Sequence, residues 1–177
     1  SPYPETTGYL IPTFLELSNI DGYNHLKEPA IKMAKWLMSL QYKDGALPGG
    51  LYEQNKNKEK SIFNTAQIIL GYIYTWEYTK DNKFLAAAEA ASNWLTKNQN
   101  DNGTWSIYNY NNDFFPSYYT RVAWPMLKFA KISNNMPATL AAKKTLDHIQ
   151  NKVKKNSFIK DSGFTPNSYA FLHTIAY

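Results

Sequence analysis

Apolar residues recur at three- and four-residue spacing along three segments of the chain, and those segments repeat one another. Leu26 to Gln41 (LKEPAIKMAKWLMSLQ) and Phe84 to Gln99 (FLAAAEAASNWLTKNQ) align without a gap. Both end in Trp-Leu-x3-Gln, and both run on to a glycine four residues after the glutamine, as YKDG and NDNG. Ala138 to Val153 (ATLAAKKTLDHIQNKV) continues the series, with His148-Ile149 in place of Trp-Leu. The spacing gathers the apolar residues of each segment on one helical face, and the alanines of the middle copy favour helix further. All three are predicted amphipathic helices. Each is ended by polar or glycine-bearing chemistry: Asp44-Gly45, Asn102-Gly103 and Asp161-Ser162-Gly163.

A second helix is predicted before each of these, in a register of its own. Thr7, Thr65, Thr120 and Thr174 each head an apolar run, at intervals of 58, 55 and 54 residues. A threonine there is expected to cap the exposed backbone N–H groups of its helix. Pro12 and Pro125 fall at similar places in the first and third runs, where a proline either opens a helix or kinks it. The predicted unit is helix, short turn, helix and longer loop, repeated every ~55 residues. Hairpins are placed at about 5–45, 63–103 and 118–157, with 167–177 opening a fourth. The expected fold is all-α, one domain of antiparallel helical hairpins. The run stops at Tyr177 without a cap, a glycine or a polar tail, so the sequence reads as a portion of a longer array.

Composition fits that picture and narrows the function. The chain has 177 residues, 44% of them hydrophobic and 16% aromatic, with 14 Tyr, 9 Phe and 5 Trp. This excludes a disordered chain, which is aromatic-poor and charge-rich. With no cysteine there is no disulfide scaffold, thiolate metal site or cysteine nucleophile. The net charge is +5, but Arg121 is the sole arginine and every other cation is lysine. Scattered lysines make a solvated surface, whereas nucleic-acid readers favour the planar fork of arginine, so no nucleic-acid partner is expected. No apolar run approaches the ~20 residues of a membrane span. No signal peptide is visible, which favours the cytoplasm; the chain opens at Ser1 rather than Met, so processing leaves export open.

Gln99 to Trp105 matches Q-x3-G-x-W, and Gln41 to Leu47 is a degenerate copy with leucine in the tryptophan place. With the hairpin period, this resembles the α/α-toroid superfold of terpenoid cyclases, protein prenyltransferase β-subunits, six-hairpin glycosidases and polysaccharide lyases. The strings YPETTGYLIPTFL, QYKDGAL, FNTAQIILGY, YYTRVAW and LHTIAY look like an uncharacterised toroid family of bacterial polysaccharide-biosynthesis loci. That family usually carries glycine after the second threonine, where this chain has Ala66. The resemblance implies two concentric helix layers and a partial ring, three hairpins and the start of a fourth. Exposed helix faces at the open edges would then tend to pair two copies as a homodimer.

In a toroid the inner-helix ends and the loops before them converge on a central cleft, so the residues beside the register threonines are the candidate site. These are Glu5 and Tyr9, Asn64 and Gln67, Tyr119 and Arg121, and His173. Arg121 suits a carboxylate, sulfate or phosphate, such as a uronic acid or a nucleotide-linked sugar; it equally suits an ion pair with Glu5 or Glu53. His173 has the pKa range of a general acid or base, and Tyr9, Tyr118 and Tyr119 carry hydroxyls that donate. Glu5 and Glu53 are candidates for a glycosidase carboxylate pair. The aromatic clusters 105–110 and 114–119 flank the third inner helix. There Tyr108, Tyr118 and Tyr119 are read as sugar-stacking residues, aided by Asn109, Asn111, Asn112 and Asp113, while Trp105 and Phe115 are read as packing.

Several patterns are missing. Neither DDxxD nor DxDD is present for terpenoid-cyclase chemistry, and the prenyltransferase zinc set lacks its cysteine. No HExxH, P-loop, GxSxG or dinucleotide-binding glycine pattern is present, and no metal or cofactor is expected. The leading expectation is a carbohydrate-active or glycan-binding protein of bacterial polysaccharide metabolism, leaning towards lyase- or glycosidase-like chemistry. A non-catalytic helical-repeat interaction module and a degenerate isoprenoid binder are the alternatives.

Overall fold

The computed structural model describes residues 2–52, 59–112, 114–155 and 158–176. They form an all-α fold of helices α1 (Pro4–Leu17), α2 (Lys27–Leu40), α3 (Ile62–Thr79), α4 (Asn82–Lys97), α5 (Thr120–Ser133), α6 (Met136–Gln150) and the short α7 (Leu172–Ala176). Single 3-10 turns at Asn24–Leu26 and Ser117–Tyr119 lead into α2 and α5. Helices α3 and α5 end on left-handed residues, Lys80 at φ 57° and Asn134 at φ 54°, which turn the chain back on itself. Only two residues separate α3 from α4 and α5 from α6, so both pairs are tight antiparallel hairpins. Helices α1, α3 and α5 pack side by side, and α2, α4 and α6 lie against them as a second layer.

The register threonines do not cap these helices. The α3 cap is Ser61, whose hydroxyl accepts the Asn64 N–H at 3.2 Å; Asp81 and Asn135 do the same for α4 and α6. Both α1 and α3 begin three residues before their threonine, so that Thr7 and Thr65 lie inside the helix. Thr65 instead accepts the backbone N–H of Leu47 at 2.9 Å, and Thr174 donates to the Ser162 carbonyl. These hydroxyls fasten the incoming loop to the first turn of the inner helix.

The repeat motif is a staple between neighbouring hairpins. At the end of α2, the Gln41 amide donates to the carbonyls of Gly45 and of Ala87 in α4, both at 3.0 Å. At the end of α4, the Gln99 amide meets the Gly103 carbonyl, the Ala141 carbonyl at 2.9 Å and the Thr145 hydroxyl at 2.8 Å. The glycines are required twice over. Gly45 and Gly103 have φ of 98° and 83°, and a Cβ would stand 2.1 and 2.3 Å from the carbonyl oxygens of Ala90 and Lys144. Trp105 is 2% exposed and donates its indole N–H to Leu95, while Leu47 fills the corresponding place as a fully buried side chain. The aligned positions Trp36, Trp94 and His148 each pack on a ring from a long loop: Tyr52, Tyr108 and Phe115.

Between α1 and α3 the backbones nearly touch. A Cβ on Gly8 would lie 2.9 Å from the Ile68 Cα, and one on Gly71 would lie 2.8 Å from the Gly8 carbonyl oxygen. Pro12 and Pro125 lie inside α1 and α5 rather than at their starts. Each lacks an N–H and so releases the carbonyl four residues earlier, of Gly8 and of Arg121. Both carbonyls face α3, Gly8 against Gly71 and Arg121 against the Gln67 amide at 2.7 Å. Among the described residues no helix is long and apolar enough to cross a membrane.

Candidate functional site

A cavity of about 550 Å3 opens where the first turns of α1 and α3 meet the 3-10 turn that leads into α5. Helix α1 contributes Glu5, with Tyr3 just before it; Lys60, Ser61, Phe63 and Asn64 come from the start of α3. The loop after α4 adds Tyr108, Asn109 and Tyr110, the turn before α5 adds Tyr118 and Tyr119, and Phe164 reaches in from beyond α6. Glu59 stands exposed at the rim.

The aromatic wall is built on Tyr118, whose ring meets Phe63, Tyr119 and Phe164 edge-on at centroid distances of 5.5, 5.6 and 5.8 Å. Edge-to-face contacts of this kind hold rings in fixed orientations. Tyr119 is 1% exposed and donates its hydroxyl to Asn109 at 2.9 Å. Burial pushes its phenol far above the ordinary value, and the bond to Asn109 fixes the direction of its hydroxyl. Tyr108 adopts φ 64°, a left-handed conformation unusual for a bulky residue. Its carbonyl accepts the Ile62 N–H at 2.9 Å, tying the aromatic loop to the start of α3.

The polar side is a chain of three residues. Burial pushes the Glu5 carboxyl above the ordinary carboxylate value, against the hydrogen bond with Tyr3 and the charge of Arg121. Burial and the neighbouring Glu5 push the Tyr3 phenol up to about 12, while a hydrogen bond from Asn64 works the other way. Asn64 also donates to the Pro48 carbonyl at 3.1 Å, which anchors the loop before α3. On the opposite flank Lys60 forms an ion pair with Asp44. Desolvation opposes it, yet the hydrogen bonds from Lys60 and the Ala46 N–H hold Asp44 below the ordinary carboxylate value.

Of the residues expected from sequence, Glu5, Asn64, Tyr108, Tyr118 and Tyr119 come together on this cavity. Arg121, Gln67 and Tyr9 are not among its lining residues. The Arg121 guanidinium lies over the Trp124 ring at 4.9 Å and acts on Glu5 through its charge. Gln67 is 1% exposed and gives its amide to the Arg121 carbonyl, and Tyr9 reaches the Thr6 hydroxyl one turn back. Glu53, Asp113 and Tyr177 lie outside the described residues, as does the side chain of His173 on α7. Tyr3, Lys60, Phe63, Tyr110 and Phe164 join the cavity without having been singled out from sequence. The signal for the first three was the helix start: one turn before Thr7 stands Tyr3, and one turn before Thr65 stands Ser61, between Lys60 and Phe63. Among the described residues no three His, Cys, Asp or Glu side chains gather as a metal ion would need. Compared with models of protein families, with curated proteins and with solved structures, the chain matches none of them.

Proposed function

We propose that this chain is a carbohydrate-active protein of the α/α-toroid type and that the cavity is its sugar site. The observation that carries the reading is the wall itself. Rings of Phe63, Tyr108, Tyr110 and Tyr118 line one cavity with the hydrogen-bonding groups of Tyr3, Glu5 and Asn64. A pyranose has the same division, with C–H faces that stack on rings and hydroxyl edges that hydrogen-bond. The volume lies within the roughly 300–1,000 Å3 of small-molecule sites. The two-layer order of hairpins and the Q-x3-G staples support the toroid reading.

Glu5 is the group fitted to chemistry. Burial raises the Glu5 carboxyl's hold on its proton, the direction a general acid needs, and the hydrogen bond with Tyr3 orients it. Glu59 is the second carboxyl on the wall, and a glycosidase needs two. The test is calorimetry with a panel of neutral, acidic and basic oligosaccharides, repeated on Tyr118→Ala and Glu5→Gln. Binding that weakens in the tyrosine variant supports the reading; no heat with any sugar overturns it.

A second surface bears on assembly. Around α7, Tyr169 is 94% exposed, Leu172 83% and Ile175 61%. Apolar side chains left in water at this density favour self-association, and we infer a homodimer through this face. Light scattering across a concentration series checks it, and a monomer at every concentration rules it out.

A further inference from the structure

The charges around the cavity are unequal in what they offer a ligand. Among the described residues its acidic side chains are Glu5 and Glu59, and its cation is Lys60. Lys60 is already engaged, paired with Asp44 and lying over the rings of Tyr42 and Tyr108 at 5.6 and 5.9 Å. Arg121 is not among the lining residues; its guanidinium lies over the Trp124 ring, and from there its charge reaches Glu5. An anionic sugar entering here would meet two carboxyl groups and a lysine held by its own aspartate. A cation would meet carboxyl groups and ring faces together. Ring faces carry the negative end of the aromatic quadrupole and attract ammonium groups, most strongly where water is excluded. Tyr108 already serves one ammonium, that of Lys60, in this way.

We propose that the saccharide taken by this cavity carries a basic amino group, whose ammonium meets Glu5 and Glu59 among the tyrosine rings. The inference rests on the saccharide reading above and narrows it to amino sugars with a free amine. The carboxyls supply the charge, the rings of Tyr110 and Tyr118 supply the stacking surface, and Tyr3 and Asn64 hold Glu5 in place. An N-acetyl group in the same position removes the charge and leaves the carboxyls without their partner.

Glucosamine oligomers and N-acetylglucosamine oligomers of equal length share ring and linkage and differ in that charge. Calorimetric titration of the whole chain is expected to give about tenfold or tighter binding for the free-amine form, a difference of about 1.4 kcal/mol. The preference should shrink as salt is raised. It should also shrink in Glu5→Gln and in Glu59→Gln, the latter at an exposed rim position that spares the fold. Equal or tighter binding of N-acetylated or uronate oligomers would overturn the amino-sugar inference while the saccharide reading stands. If no oligomer of any charge binds, both are overturned.

Discussion

The side-chain amide of Gln67 donates to the backbone carbonyl of Arg121 at 2.7 Å, and Pro125 is the reason that carbonyl is open to it. A helix supplies its own donor four residues on; a proline there has none. Gln67→Ala should therefore leave a partly buried carbonyl unsatisfied and cost about 1–3 kcal/mol in urea unfolding. In a Pro125→Ala background the new N–H at position 125 takes over, and the same change should cost distinctly less. Equal losses in the two backgrounds would break the link between the proline and the glutamine.

Gly22, Gly45 and Gly103 share a positive φ and differ in their neighbours. Gly22, at φ 87°, has nothing within 4 Å of the place a Cβ would take, whereas Gly45 and Gly103 abut backbone carbonyls. Gly22→Ala should cost about 1–2 kcal/mol, the conformational term alone. Gly45→Ala and Gly103→Ala should each exceed about 3 kcal/mol, because strain and steric overlap add. Thermal unfolding followed by circular dichroism separates the two classes.

Among the described residues the Gln99 side-chain amide donates to Gly103 and to Ala141 and Thr145 in α6, and this makes a nearly isosteric exchange worse than a truncation. Gln99→Glu would set a carboxylate against the carbonyls of Gly103 and Ala141, where Gln99→Ala leaves a gap. At pH 7 the glutamate variant should be the less stable of the two by about 1–3 kcal/mol. Below roughly pH 5 its carboxyl regains a proton to donate, and the gap should narrow. A gap that is constant with pH would rule out this reading of the staple.

Glu5 gives a pH dependence of definite sign. Its folded value lies above the unfolded one, so between the two the folded chain holds a proton that the unfolded chain has released. The stability tied to this group is complete below the ordinary carboxylate value. It falls as pH rises through the raised value and stays lower above it. Glu5→Gln keeps an oxygen for the Tyr3 hydroxyl and removes the titration. It should raise the melting temperature at pH 7 and leave it unchanged well below pH ~4; an equal shift at both would contradict the assignment.

The hairpins were legible because they repeat. The Trp-Leu-x3-Gln-x3-Gly pattern recurs for one physical reason, the staple, and each copy needs the same donor and the same bare glycine. The cavity was legible only in part, because its wall draws one or two residues from each of several segments with no shared spacing. Phe164 lies about a hundred residues from Phe63, yet both rings meet Tyr118. Arg121 marks the limit most plainly. The sequence draws attention to its guanidinium; its carbonyl, a group that every residue carries and no pattern reveals, is what ties α5 to α3.

The glutamine staples point in one direction along the chain. Gln41 closes on Ala87, 46 residues later, and Gln99 closes on Ala141, 42 residues later. On a ribosome, where synthesis runs from the N-terminus, neither loop can be locked when it emerges. The first stays open until α4 has been made, and the second until α6. Each of these two hairpins is thus released unfinished and is completed by the one born after it.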